Sequence, residues 1–116
     1  MPVTIYHNPR CSKSRQTLAL LEDRGLAPEI VLYLDSPPDA ATLRRVLGPL
    51  GLGPRDLMRR KEAVYKELGL SDPELGEDDL IRAMVENPIL IERPIVVAGE
   101  RAALGRPPEA VLEILP

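Results

Sequence analysis

The chain has 116 residues, with 15 Lys or Arg, 18 Asp or Glu and a net charge of -3. This length predicts one domain with a single core, and the acidic balance argues against nucleic-acid binding, which usually needs a basic surface. One cysteine excludes an internal disulfide, and one cysteine with one histidine is too few for the usual zinc ligands. No apolar run approaches membrane-spanning length, and the single cysteine suits a reducing compartment, so we expect a cytoplasmic protein that binds no membrane. The small number of candidate ligands predicts no bound metal.

The first part of the chain predicts a strand, a helix and a second strand. Residues 3–6 are β-branched or aromatic, which favours a strand, and residues 14–21 carry apolar side chains at helical spacing. Residues 30–34 form a continuous apolar run, which suits a second strand that is covered on both faces. This order predicts a βαβ unit with parallel strands.

The remainder of the chain predicts a helical middle and a return to strands. Apolar residues recur at helical spacing over about residues 37–87. Residues 93–97 regain strand character, and Gly99-Glu100 fits a hairpin turn into residues 102–104. A last helix is expected near the end of the chain. The pattern therefore predicts an α/β fold, a four-stranded mixed sheet flanked by helices, with a helical insertion between the second and third strands.

The cysteine lies where the first strand meets the first helix. The helical pattern follows Cys11 at once, so the N–H groups of the first turn and the positive end of the helix dipole favour a thiolate there. Arg10, Lys13 and Arg15 add positive charge nearby. These features predict a pKa well below that of a free cysteine, and the same groups can hold an oxyanion. The alternative, a buried and inert cysteine, is disfavoured by these polar neighbours.

Several segments of the chain together resemble the glutaredoxin-dependent arsenate reductases, in particular a shorter and less characterised branch of that family. They are residues 5–15 (IYHNPRCSKSR), 31–34 (VLYL), 57–59 (LMR), 87–97 (NPILIERPIVV) and 105–107 (GRP). The resemblance covers essentially the whole chain in the right order. It implies a thioredoxin-like fold in a single domain, residues 1–116, with the helical insertion at about residues 37–87.

The resemblance implies a role for each matched side chain. Cys11 becomes the catalytic nucleophile, and His7 helps to set the ionisation of its thiol. Three arginines are implied to bind the oxyanion: Arg59, Arg93 and Arg106. Arginine suits this task because it is always charged and presents a planar fork of donors. Arg60 is an alternative to the first of the three, because the neighbouring run of cations also fits a solvated surface.

Further residues are implied to support this site. The family's arginine–proline bond before the third strand is cis, which implies a cis bond at Pro94. Ser12 and Ser14 either cap the first helix or bond the thiolate, and both roles are compatible. Arg15 adds positive charge close to the loop.

The implied activity is reduction of arsenate, or of a related oxyanion, to arsenite. Cys11 forms a covalent adduct, glutathione is the co-substrate, glutaredoxin is the partner, and no cofactor is bound. The single cysteine requires an external thiol to resolve the adduct. One alternative is a regulatory module resembling the Spx proteins, which contact RNA polymerase, although Ser14 replaces the second cysteine of their C-x-x-C switch. Another is a glutathione-linked thiol oxidoreductase, for which the three arginines would have no purpose.

Overall fold

The computed structural model describes residues 2–115 and consists of four strands and four α-helices joined by turns and 3₁₀ segments. The strands are β1 (Val3–His7), β2 (Glu29–Leu32), β3 (Ile95–Ala98) and β4 (Arg101–Leu104). The α-helices are α1 (Ser12–Asp23), α2 (Ala40–Leu50), α3 (Ala63–Glu67) and α4 (Glu77–Glu86). The predicted α/β fold, with helices inserted between the second and third strands, is confirmed.

The described residues group into two compact units. The sheet unit contains the chain up to Ser36 and from Arg93 onward, with all four strands and α1. The helical unit is Pro37–Glu92 and contains α2, α3 and α4. That the two units form one domain stays a prediction.

The sheet unit places the end of β1 between two neighbouring strands. The strand order is β2-β1-β3-β4, with β1 parallel to β2 and antiparallel to β3. At the carboxyl end of β1, His7 lies opposite Leu32 of β2, and Tyr6 lies opposite Ile95 of β3. The loop that leaves β1 therefore has the end of β2 on one side and the start of β3 on the other.

An aliphatic core holds this sheet unit together. Ile5 and Val96 from the two central strands, Leu21 from α1 and Val111 from the 3₁₀ helix Pro108–Ile114 are fully buried. Burial of each such side chain stabilises the fold by roughly 1.5–3 kcal/mol. The predicted last helix is thus 3₁₀ rather than α-helical, but it covers the core as expected.

The prediction that the second strand is covered on both faces is wrong. β2 is at the edge of the sheet, where it pairs with β1. Ile30 and Leu32 are 46% and 41% exposed, and Leu34, in the turn after the strand, is 40% exposed. The continuous apolar run thus predicted the strand correctly, but these three apolar side chains lie at the surface instead of in a core.

The helical unit is built from amphipathic helices with well-defined ends. Asp39 begins α2, where its carboxylate accepts the N–H of Thr42 at 2.8 Å, which lowers the pKa of that carboxyl. Gly51 ends the helix in the left-handed region, with φ 70°. Arg44 of α2 forms ion pairs with Glu77 and Asp78 at the start of α4. None of the helices within residues 2–115 has the length and apolarity that crossing a bilayer requires.

Candidate active site

The loop between β1 and α1 is held in shape by its own hydrogen bonds. The Cys11 N–H donates to the Asn8 carbonyl at 3.0 Å, and the Arg10 N–H donates to the Asn8 side-chain oxygen at 3.0 Å. From α1, the guanidinium of Arg15 donates to the Pro9 carbonyl at 2.9 Å. Cys11 is the N-cap residue of α1, with an extended backbone. The thiol is therefore presented at the first turn of the helix.

The thiol of Cys11 is partly buried, and its pKa lies below the usual value for cysteine. Burial raises this pKa, but the backbone N–H of Ser14, the guanidinium of Arg93 and the backbone N–H of Lys13 lower it more. Each of these groups stabilises the negative thiolate. The direction of the shift agrees with the prediction from the sequence.

Two arginines of the sheet unit meet at the sulfur. The guanidinium of Arg93 hydrogen-bonds the Cys11 thiol, and Nη1 of Arg106 lies 4.0 Å from Sγ. Arg106 also donates to the Arg93 carbonyl at 3.1 Å, which ties the two residues together. The buried hydroxyl of Tyr33 interacts with Arg93 as well. Tyr33 was not among the site residues predicted from the sequence, although it lies in an apolar run that belongs to the family-like segment 31–34.

The two arginines are presented by similar Arg-Pro bonds. The Arg93–Pro94 bond is cis, as the resemblance implies, and the Arg106–Pro107 bond is cis as well. The two segments are joined where the Gly105 N–H donates to the Pro94 carbonyl at 2.9 Å. A Cβ at Gly105 would lie 2.8 Å from Cγ of Pro94 and would overlap Thr17 of α1. The approach of these segments therefore requires glycine at this position.

His7 is connected to the thiol through Ser14. The His7 ring is buried, and its Nδ1 lies 2.6 Å from the Ser14 hydroxyl, which also accepts the Asn8 N–H at 3.0 Å. Burial and then the charge of Arg15 lower the pKa of His7, so the ring is neutral near pH 7. The tautomer of the His7 ring sets which of the two groups donates in this hydrogen bond.

The two predicted serines have different surroundings. The hydroxyl of Ser14 bonds His7 and Asn8 instead of capping α1, while its backbone N–H acts on the thiol. Ser14 also occupies the position of the second cysteine in a C-x-x-C switch. Ser12 is exposed at the start of α1. The direct effect of His7 on the thiol and a role for Ser12 stay predictions.

Arg59 lies in the helical unit, where two carboxylates hold its guanidinium. Its Nε is 3.1 Å from Glu62, and its Nη1 is 3.0 Å from Glu92. All three side chains are largely buried, with 24–26% exposed. Arg60 is more exposed and lies 3.4 Å from Asp56. The structure thus fixes Arg59 more firmly than Arg60, and the part of either in binding an oxyanion stays a prediction.

A mixed sheet with the order β2-β1-β3-β4, a cysteine at the start of α1 and a cis proline before β3 define the class of thioredoxin-like folds. Residues 6–114 match the sequence model of the ArsC family. The chain therefore belongs to the ArsC family.

Known relatives are similar over nearly the whole chain. The protein is 63% identical over 114 residues to YfgD of Escherichia coli (strain K12), an uncharacterized protein, covering 97% of this chain and 96% of YfgD. It is 53% identical over 114 residues to the arsenate reductase of Neisseria meningitidis serogroup B, covering 97% of each chain. The solved structure of the arsenate reductase from Vibrio cholerae has 57% identity and a TM-score of 0.96, with 99% of this chain and 98% of that chain covered.

Proposed function

We propose that this protein reduces arsenate to arsenite, with Cys11 as the nucleophile and glutathione and glutaredoxin as the reducing partners. The observation that carries the proposal is the meeting of the guanidinium groups of Arg93 and Arg106 at the Cys11 sulfur. Relatives that are named arsenate reductases and share about half of the sequence support the choice of substrate.

The arginines answer an electrostatic problem in this reaction. Arsenate is a tetrahedral oxyanion, and a thiolate that approaches it brings two negative groups together. Guanidinium groups of Arg93 and Arg106 beside the sulfur offset this repulsion and can donate hydrogen bonds to the arsenate oxygens. The lowered pKa of Cys11 keeps a larger share of the thiol in its nucleophilic form at neutral pH.

Cys11 begins the reaction by forming a sulfur–arsenic bond. One As–OH group takes up a proton and leaves as water, so arsenic remains As(V). Glutathione then adds to the same arsenic through its own thiolate, and a second hydroxyl leaves as water. This second thiol must come from outside the protein because the chain has only one cysteine.

The electrons come from glutaredoxin in the next step. A glutaredoxin thiolate attacks the sulfur of the bound glutathione, and the sulfur–arsenic bond breaks with its electron pair left on arsenic. Arsenic becomes As(III), and a mixed disulfide of glutaredoxin and glutathione forms. Water then displaces the Cys11 thiolate and releases arsenite. We propose no bound metal or organic cofactor for these steps, and because glutathione and glutaredoxin are reducing partners, we expect the reaction to run in the cytoplasm.

We also propose Arg59 as a third ligand of the oxyanion. Within the helical unit its guanidinium is oriented by Glu62 and Glu92, whereas Arg60 is more exposed and has a longer bond to Asp56. A donor that is already oriented loses less conformational entropy when it binds an anion. This difference favours Arg59 over Arg60.

The test is a coupled assay with arsenate, glutathione, glutaredoxin and a system that recycles oxidised glutathione. We expect arsenate-dependent turnover by the natural protein and none by Cys11→Ser, whose hydroxyl stays protonated at neutral pH. Circular dichroism checks that the variant is folded. Turnover that persists in Cys11→Ser would reject the thiol mechanism, and absence of turnover in the natural protein would reject arsenate as its substrate.

A further inference from the structure

A cavity lies beside the cysteine loop on the side of β2. It has a volume of about 310 Å³, which is at the lower end of the range of roughly 300–1,000 Å³ for small-molecule sites. One wall is the loop from His7 to Arg10, and the other contains Leu32, Leu34 and Asp35. Every residue that lines it belongs to the sheet unit.

The cavity and the two arginines lie on opposite sides of the loop. In the sheet, His7 is paired with Leu32, at the cavity, while Tyr6 is paired with Ile95, which follows Arg93 and Pro94. An oxyanion held by Arg93 would therefore occupy the β3 side of Cys11. The β2 side is left for a second thiol to approach the arsenic that Cys11 then carries.

The charged and apolar side chains that line the cavity complement a small zwitterion with an apolar middle. It contains one cation, Arg10, and one anion, Asp35, and within residues 2–115 the structure gives neither side chain an ion-pair partner. Leu32 and Leu34 are about 40% exposed although they are apolar. An exposed apolar surface next to separated charges is typical of a binding site rather than of a solvated loop.

We infer that this cavity binds glutathione, a peptide thiol that carries one ammonium and two carboxylate groups. Arg10 binds the glycyl carboxylate, Asp35 binds the α-ammonium of the γ-glutamyl residue, and the aliphatic part of the peptide packs on Leu32 and Leu34. The cysteinyl thiol then lies near the Cys11 loop. This inference rests on the proposed function, because it assigns a place to the co-substrate of that reaction.

The test measures binding without any reaction. S-methylglutathione, which has no free thiol, is titrated into the natural protein and followed by ¹H–¹⁵N NMR. We expect shift changes at residues 7–10 and 32–35. Arg10→Gln and Asp35→Asn should each weaken binding about tenfold, as expected for loss of one charge-assisted hydrogen bond. The matched controls are Arg24→Gln and Glu29→Gln, which alter exposed charges outside the cavity and should bind like the natural protein.

A modified ligand tests the assigned orientation. N-acetyl-S-methylglutathione lacks the ammonium group, so it should bind more weakly to the natural protein and should lose its sensitivity to Asp35→Asn. It should keep its sensitivity to Arg10→Gln. Equal sensitivity of both ligands to Asp35→Asn would overturn the pairing of Asp35 with the ammonium.

The outcomes separate this inference from the proposed function. If binding follows the expected pattern but arsenate is not reduced, the glutathione site stands and the arsenate reaction fails. If glutathione supports arsenate reduction but Arg10→Gln and Asp35→Asn bind S-methylglutathione like the controls, the site is overturned and the reaction stands. No shift changes at residues 7–10 and 32–35, or changes only with glutaredoxin, would also overturn it. In the assay, both variants should raise the KM for glutathione and leave the KM for arsenate unchanged.

Discussion

The two units of this protein hold their arginines in different ways. In the sheet unit, Arg93 and Arg106 bond the sulfur of Cys11, so their charges act on a group that is itself reactive. In the helical unit, Arg59 is bound by Glu62 and Glu92, so two negative charges surround its guanidinium. An arginine at a thiolate thus changes the reactivity of the sulfur, whereas the first effect of two carboxylates on an arginine is to fix its orientation. If Arg59 binds the oxyanion, it does so as an aligned donor with much of its charge offset.

Removal of Arg93 should have the largest effect. Arg93→Gln keeps a hydrogen-bond donor but removes the charge beside the thiol, and we expect kcat/KM for arsenate to fall roughly 100- to 1,000-fold, as for loss of a main electrostatic donor.

Arg106→Gln should lower kcat/KM for arsenate by about 10- to 100-fold, a smaller effect, because Arg106 is exposed and its bond to the sulfur is long. The coupled assay measures both effects. Arg24→Gln, at an exposed site after α1, is the control, and a loss of less than threefold in both variants would contradict the role of the sheet-unit arginines.

The arginine of the helical unit should have a smaller effect of a different kind. Arg59→Gln leaves Glu62 and Glu92 without their shared cation, so we expect lower stability, by about 1–3 kcal/mol, together with a roughly tenfold higher KM for arsenate. Arg60→Gln should change both quantities little, because Arg60 is exposed. Urea unfolding and the coupled assay measure the two quantities separately. A larger loss of activity in Arg60→Gln than in Arg59→Gln would reverse the assignment.

The pH dependence of the Cys11 thiol should also distinguish the arginines of the two units. The pKa of Cys11 is lowered in the folded protein, so the thiolate should persist as the pH falls below the pKa of a free cysteine. Its contribution to stability is present above the unfolded pKa and is lost as the pH falls through the folded pKa. Alkylation by iodoacetamide, followed against pH, reports this midpoint. Arg93→Gln should move the midpoint upward, whereas Arg59→Gln should leave it in place because two carboxylates offset that charge. An equal shift in both variants would show that the two units act on the thiol alike.

Local sequence patterns predicted most of the secondary structure of the sheet unit. The β-branched and aromatic residues of β1, the apolar spacing of α1 and the Gly99 hairpin depend on near neighbours in the chain, so they are visible in the sequence. The lowered pKa of Cys11 was predictable for the same reason, because the first turn of α1 supplies the N–H groups of Ser14 and Lys13. The apolar run in β2 was misinterpreted, since a buried strand and an edge strand with an apolar strip look alike in sequence.

Features that depend on distant segments could not be predicted. The electrostatic interaction between Tyr33 and Arg93 joins residues far apart in the chain. The need for glycine at position 105 arises from Thr17 and Pro94, which only the folded chain brings to that spot. Ser14 was assigned to the cap or the thiolate because its contact with His7 requires the loop to fold back on the helix. In each case the residue itself could be identified in the sequence, but the residue that it contacts could not.

The smallest expected effect is on His7, whose pKa is lowered first by burial and second by the charge of Arg15. Because the folded pKa is depressed, the neutral ring contributes stability that is present above the unfolded pKa and is lost as the pH falls through the folded value. Arg15→Gln should raise the pKa of His7 in the folded protein only slightly, because burial remains. The pH range between the folded and the unfolded pKa then becomes narrower. The NMR signals of His7, followed against pH, measure its folded pKa. Arg15→Lys keeps the charge but loses the forked donor to the Pro9 carbonyl, so it should leave the pKa of His7 nearly unchanged. If Arg15→Lys raises the pKa as much as Arg15→Gln, the effect comes from the shape of the loop rather than from charge, and His7 would then report how the Cys11 loop is held.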